Sequence, residues 1–267
     1  MLWMSRIPTH MSELAKQTWP EAQELLGPET VALVPIGSTE PHGPHLPLDT
    51  DVTIATAQTL RAAALLEAKG VKSVILPAVP YGVTHWTHGF AGTVTLRPGT
   101  LWSLLEDIVE SLEEAGVRHV VFSNGHLEPG HIEVLRGMPL DYQEKKKGSA
   151  QVIFPDNTRR RWAETLGEEF KGGDCHAGRY ESSIILKADP GGVREEKRVA
   201  LDPVEIGLVE RIRDGAKSFQ ECGADQAYCG APAEATADEG EGHIEQLANM
   251  IVTSIEEAWP ELFETIG

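Results

Sequence analysis

Four short runs of the chain are almost wholly apolar and rich in β-branched residues. They are "TVALVPIG" at 30–37, "SVILPAVP" at 73–80, "HVVFSNG" at 119–125 and "QVIFP" at 151–155. Each ends at Gly or Pro. Runs of this length without alternation predict strands buried on both faces. Longer segments between them carry small and apolar residues at helical spacing. Residues 51–70 ("DVTIATAQTLRAAALLEAKG") have acid in the first predicted turn and Gly70 as the C-cap. Residues 100–116 predict an amphipathic helix, "HLEPGHIEVLRG" opens another, residues 176–191 a further one, and residues 230–264 supply a long C-terminal one. Residues 19–26 predict a short leading helix closed by Gly27, and the loop at 81–99 is expected to contain a short strand.

Strand, loop and helix therefore alternate at least four times. That order predicts an α/β fold with a mostly parallel sheet flanked by helices on both faces. In such sheets the chemistry gathers where strands end and helices begin. The polar clusters at 40–51, 126–128 and His176 all follow a predicted strand or open a helix, so one sheet edge would collect them.

Composition narrows the partners. A formal net charge of −18 over 267 residues repels nucleic acid and anionic membrane surfaces, so neither is expected as a partner. The excess acid lies mostly in helical patterns such as 106–114 and 234–245, which read as a solvated surface. Three cysteines without regular spacing (Cys175, Cys222, Cys229) argue against a disulfide framework. The first residues, "MLWMSRIPTHMSELAKQ", lack the apolar core of a signal peptide, and no run has the roughly 18 apolar residues of a membrane span. A cytoplasmic protein is the expectation.

The donor-rich stretches carry the chemistry. "GSTEPHGPHLPLDTD" at 37–51 packs Glu40, His42, His45, Asp49 and Asp51 into a run that Pro and Gly keep irregular. Glu40 and His42 are i, i+2, so an extended segment points both the same way. Asp51 would open the next helix, either as an N-cap, a role open to Asp49 too, or facing inward and bridging two cations. "NGHLEP" repeats the arrangement with His126 and Glu128. Two histidines and three carboxylates exceed one open catalytic zinc and suit a pair of Zn, Mn or Fe ions sharing a carboxylate and a water. His176 and Glu181 in "GDCHAGRYESS" are i, i+5, about 140° apart on a helix, and meet at one site only if His176 precedes the first regular turn. His176 is then a candidate proton donor, and Glu181 an extra ligand or an orienting carboxylate. His85, Trp86 and His88 are candidates to line a pocket. Cys175 as a nucleophile paired with His176 is disfavoured, because adjacent residues rarely face each other. His10, His119, His131 and His243 have no local company that suggests a role.

On these motifs the chain resembles the creatininase family of metal hydrolases. "PIGSTEPHGPHLPLDTD", "NGHLE" and "HAGRYESS" are similar to its three metal-loop motifs, and "GAPAEATADEG" to its late segment. The resemblance runs from about residue 19 to the C-terminus. It implies a single α/β domain over 1–267, two divalent ions, a small-molecule substrate and a homo-oligomer, often a hexamer. Position by position it assigns Glu40, Asp51 and His126 to one ion, and His42, Glu128 and the bridging Asp51 to the other. His176 becomes the proton shuttle and Glu181 a nearby carboxylate; in one branch of the family that Glu replaces a missing ligand.

The resemblance also has gaps. Creatinine-hydrolysing members have Trp where this chain has Gly172, another Trp near the place of "FPDN", and Glu where this chain has Cys175. The expectation is therefore an amidohydrolase that cleaves a small cyclic amide or formamide other than creatinine, with water activated between the two ions attacking a carbonyl carbon. Alternatives are hydrolysis of a keto-inositol, a lactone-like sugar or a small peptide, a metal-dependent isomerase or lyase, and a non-catalytic metal-binding module.

Overall fold

The computed structural model describes residues 13–145 and 150–264. The segment read as lacking a signal peptide lies largely outside them, as does His10. Four parallel strands form one sheet: β1 (Val31–Ile36), β2 (Ser73–Ile75), β3 (His119–Asn124) and β4 (Gln151–Ile153), in the order β2-β1-β3-β4. Ten α-helices accompany them among the described residues. Five are α1 (Trp19–Leu25), α2 (Thr50–Ala68), α3 (Pro98–Glu114), α4 (Pro129–Lys145) and α5 (Arg160–Ala163). The others are α6 (Glu168–Gly172), α7 (Arg179–Ala188), α8 (Glu195–Arg198), α9 (Leu208–Arg213) and α10 (Ala237–Ala258). The mostly parallel α/β sheet expected from the sequence is present.

Strand periodicity sorts the core into layers. Ala32, Val34, Ile36, Val120 and Phe122 turn one way and pack on Leu101, Leu105 and Val109 of α3 and Leu135 and Met138 of α4. Val31, Leu33 and Val121 turn the other way, onto Leu66 of α2 and Ile251, Ile255 and Trp259 at the α10 end. Both strand faces are therefore apolar, which is why β1 and β3 read as continuous hydrophobic runs. A third apolar cluster joins Ile54 and Ala57 of α2 to Tyr180, Ile184 and Ile185 of α7 and Ile244 and Leu247 of α10.

Several details differ from the sequence reading. Strands β2 and β4 are three residues each, because only their first residues pair with a neighbour: Ser73–Ile75 with β1, and Gln151–Ile153 with β3. The loop at 81–99 contains no strand; its one contribution to pairing is the isolated bridge from Val94 to Thr39. The short helices α5, α6, α8 and α9 lack the long apolar periodicity that would have announced them. Among the described residues no helix is long and apolar enough to cross a membrane.

The strand order places the switch point of the sheet between β1 and β3. From β1 the chain leaves through α2 to β2 on one side, then returns through α3 to β3 on the other. A crevice opens between the carboxyl ends of two such strands, and ligands of α/β sheets bind there. Gly37 after β1 and Gly125 after β3 let the first turn of α2 drop into it. A Cβ on Gly37 would lie 2.5 Å from the Val52 amide nitrogen, and one on Gly125 would collide with the Asp51 carbonyl. No larger residue fits at either place, so the two glycines fix where Asp51 sits.

Candidate metal centre

The loop after β1 folds back on itself. The Glu40 amide donates to the Leu48 carbonyl at 3.0 Å, which brings Glu40 and His42 beside Asp51 at the start of α2. Asp49 is the N-cap residue and makes no side-chain cap bond; Asp51, in the first turn, is buried and faces inward. The loop after β3 supplies His126 and Glu128. His176 precedes α7, whose first residue is Arg179, and Ala177 between them has a φ of 50°. That left-handed residue turns the chain sharply, so His176 and Glu181 escape the 140° separation of a regular helix and face one site.

Glu40, His42, Asp51, His126, Glu128 and Glu181 are all buried, and His176 nearly so. His42 Nε2 lies 3.1 Å from Asp51 Oδ1, 3.6 Å from Glu181 Oε2 and 3.9 Å from Glu40 Oε1. His126 Nδ1 lies 2.9 Å from Asp51 Oδ2 and 3.3 Å from Glu40 Oε1. Asp51 thus presents one carboxylate oxygen to each imidazole. His176 Nδ1 is 3.9 Å from Glu40 Oε1.

Hydrogen bonds outside the cluster set the ring tautomers. His42 donates Nδ1–H to the Glu40 carbonyl at 3.0 Å. His126 donates Nε2–H to the Val83 carbonyl at 2.8 Å, and His176 donates Nε2–H to the Pro41 carbonyl at 3.0 Å. In each ring the other nitrogen is left as a lone pair turned toward carboxylates. Orientation of a metal-binding His by such a second bond is a general feature of metal sites. Asp51 Oδ2 is buried 2.9 Å from His126 Nδ1, and because a neutral His126 commits its one N–H to Val83, that oxygen has a partner only when a second proton or a cation lies between the two. Lone pairs facing lone pairs at this distance repel unless a proton or a cation lies between them. The donor set fits divalent cations.

The electrostatics agree. Without a cation, burial works against charge on His42, but the carboxylates of Asp51, Glu181 and Glu40 outweigh it and lift its pKa to about 10. Burial likewise opposes charge on His126, and Glu40 and Asp51 raise its pKa well above the usual histidine value. Asp51 is held below the ordinary carboxylate range, because His42 and His126 overcome its burial. Burial raises Glu181 to about 8 and raises Glu128 as well. Protons here do part of what cations would do. Burial, and then the neighbouring His42 charge, push His176 down to about 4, so it is neutral at pH 7.

The donors divide differently from the partition that the resemblance implies. Two trios have ligand atoms within 4.8 Å of one another: His42, Asp51 and Glu181, and Glu40, His126 and Glu128. A third grouping joins Glu40, His42 and His176. Glu128 thus stands with Glu40 and His126 instead of His42, and Glu181 takes the place beside His42. The reason is local. Glu128 is drawn toward the loop at 81–99 by the backbone N–H groups of His85 and of Trp86, the latter at 3.1 Å. Glu181 is anchored beside His42 by the Ala177 N–H at 2.6 Å.

Other residues complete the site. Thr84 and Thr87 donate their hydroxyls to Glu40 Oε2, leaving Oε1 for the histidines. His131 accepts the Val83 N–H and donates to Asn124, so it steadies the carbonyl that orients His126. Phe219 stacks on His176 at 4.3 Å between ring centroids, with His42 on its other side at 4.4 Å. Trp86 lines the cavity in front of the donors; His85 and His88 are exposed and border a separate surface depression beside Lys217. The sequence marked this loop by its histidines and Trp86, whereas the inward residues Thr84 and Thr87 have no distinctive chemistry. His45 is buried and bonded to Ser182 at 2.8 Å, away from the donors. Burial, then Glu181 and Cys229, raise the Cys175 thiol well above its usual value, which tells against a nucleophilic thiolate.

The cavity measures about 390 Å³. Glu40, Asp51, His126, Glu128, Glu181 and His176 form its floor, while His42 lies behind it.

Comparison with known proteins follows this geometry. Residues 15–255 match the family model described as "Creatininase: Creatinine amidohydrolase". The "Mycofactocin precursor peptide peptidase" of Mycolicibacterium smegmatis is 32% identical over 238 residues, 86% of each chain. The "Creatinine amidohydrolase" of Pseudomonas putida is 27% identical over 65% of this chain and 70% of its own. A crystal structure of creatinine amidohydrolase (creatininase) superposes with a TM-score of 0.73 at 24% identity, covering 93% of this chain and 98% of that one, so the two share a fold.

Proposed function

The chain belongs to the creatininase family, and we propose that it is a binuclear metal amidohydrolase that cleaves the C–N bond of a peptide-sized amide. Asp51 is the bridge in this reading. His42 and Glu181 join it around one ion, and Glu40, His126 and Glu128 gather around the other. Zn or Mn suits this set of imidazole and carboxylate donors, with Fe as a further candidate. Such a pair, when bound, supplies a water acidic enough to attack at neutral pH and a Lewis acid for the carbonyl oxygen. The observation that carries the reading is the triple tautomer lock, which turns a lone pair of His42, His126 and His176 into one carboxylate-lined space.

The chain's own groups manage the proton. His176 is fixed by Pro41 and Phe219, is neutral near pH 7 and has Nδ1 open to the site. It takes the proton of the attacking water and returns it to the departing nitrogen as the C–N bond breaks. Thr84 and Thr87 keep Glu40 aimed, and the walls of the cavity position the amide.

Among substrates, the sequence puts a small cyclic amide or formamide first. Two observations favour a larger one. The relative matching the larger share of the chain is named a peptide peptidase, and the cavity of about 390 Å³ falls in the range that takes drug-sized ligands. A homo-oligomer, a cytoplasmic location and a single domain over 1–267 belong to the same proposal. The test is metal analysis of the purified protein with a turnover screen of blocked peptides, formamides and lactams in ¹⁸O water. Hydrolysis predicts about two ions per chain and one solvent oxygen in the acid product. Turnover without solvent oxygen would indicate an isomerase or lyase, and bound metal without turnover of any amide a binding module.

A further inference from the structure

The cavity in front of the donors has two unlike sides beyond its acidic floor. One wall is apolar, built from Leu208, Val209 and Ile212 of α9 together with Phe219. α4 also lines the cavity, with Pro129, Ile132, Glu133 and Arg136, a spacing of three, four and seven that puts all four on one helix face. Arg136 is seven residues beyond Pro129, about 10 Å along the axis from the end that follows Glu128.

Arg136 is held in an unusual way for a residue at a cavity mouth. Its Nε and Nη2 donate to Asp156 Oδ2 at 2.8 and 2.6 Å, and Nη2 also reaches Thr158 Oγ1 at 2.9 Å. Asp156 is itself buried, and the same oxygen receives Arg159 Nε at 3.0 Å. Two guanidinium groups thus share one carboxylate, so Arg136, Arg159 and Asp156 together carry one net positive charge. The Arg136 side chain is still 40% exposed, so the charge is available to a ligand. Glu133 lies on the same face but is exposed, and Arg136 turns to Asp156 instead. Lys171 also borders the cavity, yet its contact is to the exposed Glu168 at 3.3 Å, a loose surface pair. In a protein with a net charge of −18, a guanidinium fixed by a buried Asp in a functional cavity is suited to an anion.

We propose that Arg136, oriented by Asp156 and Thr158, binds a carboxylate of the substrate, and that the α9 wall takes the apolar body lying between that carboxylate and the scissile amide. The inference rests on the amidohydrolase reading of the floor and adds the substrate class: apolar amides bearing a carboxylate about 10 Å from the bond that is cut. With Nε and Nη2 committed to Asp156 and Thr158, the two N–H groups of Nη1 remain for the ligand carboxylate, and the fixed guanidinium gives them direction as well as charge.

The test uses N-acetyl-trileucine and its counterpart ending in leucinol, which has no carboxylate. Binding is measured by calorimetry and turnover by acetate release, because the acetyl–leucine bond lies three residues, about 10 Å in an extended chain, from the carboxylate; both are run on the manganese-loaded protein and its Arg136→Gln and Arg136→Lys variants. The wild type is expected to bind the carboxylate form about tenfold or more tightly than the alcohol. Arg136→Gln removes the preference, raises KM for the acid and leaves kcat within about threefold. Arg136→Lys, which keeps the charge but not the contacts to Asp156 and Thr158 that orient it, falls between. Unchanged binding of the alcohol shows that each variant is folded. Equal binding of acid and alcohol by the wild type, or a preference that survives Arg136→Gln, overturns the proposal. If neither peptide is cleaved while the binding preference still follows Arg136, the carboxylate site stands and the choice of a peptide amide fails.

Discussion

The two donor trios are built alike but placed differently. His42, Asp51 and Glu181 come from a loop and the starts of two helices, and His42 lies behind the cavity floor with no exposed surface. Glu40, His126 and Glu128 come from the loops after β1 and β3, and all three face the cavity. In the first trio only His42 is shut off from the cavity, whereas all three members of the second line it. Asp51 turns a different carboxylate oxygen toward each imidazole, whereas Glu40 approaches both through the single oxygen Oε1, at 3.9 Å from His42 and 3.3 Å from His126.

The largest expected effect comes from removing what the trios share. Asp51→Asn should lose both ions and lower kcat/KM by about 10⁴-fold or more, measured by metal analysis and turnover. Full occupancy in that variant would mean that Asp51 does not bridge. His176 belongs to neither trio, although its ring packs on His42 and its Nδ1 lies 3.9 Å from Glu40. His176→Ala should keep both ions and lose about 10²- to 10⁴-fold in kcat; normal turnover would make His176 a bystander. Glu181→Gln and Glu128→Gln divide the trios, and each should weaken one ion by about 10²-fold while the other stays, as competition with a chelator would show. If both ions weaken equally in either variant, the trios are not separate sites.

The trio of His42, Asp51 and Glu181 should also respond to pH. Without metal, His42 holds its proton up to about pH 10 and Glu181 up to about pH 8. A cation must displace those protons. Affinity therefore rises with pH and falls, by about tenfold per unit for each proton displaced, as pH drops through 8 and 7. A flat titration between pH 6 and 8 would contradict the protonated state of that trio. The smallest effect is on the support of the open trio: Thr84→Val should cost about tenfold in metal affinity at the Glu40 site, read by the same competition.

How well each trio could be read in the sequence follows from how it is built. Glu40 and the His126–Glu128 pair stand beside strand ends, in short runs where an i, i+2 spacing already says that the side chains point together. Glu181 could not be assigned that way. Its nearness to His42 depends on the left-handed turn at Ala177, and an Ala in that conformation leaves no mark in a sequence. The order of β1 and β3, and so the crevice itself, was implied only as a sheet edge. The lengths of β2 and β4 and the positions of Thr84, Val83 and Phe219 are set by pairing and packing between distant segments. Arg136 was invisible for the same reason: its partner Asp156 lies 20 residues away, on the loop that follows β4.

The central claim is that two cations sit on either side of Asp51, and anomalous diffraction from a crystal grown with manganese tests it most directly. Two peaks are expected, one among His42 Nε2, Asp51 Oδ1 and Glu181, and the other among His126 Nδ1, Asp51 Oδ2, Glu40 and Glu128. A single peak, or density away from Asp51, would contradict it.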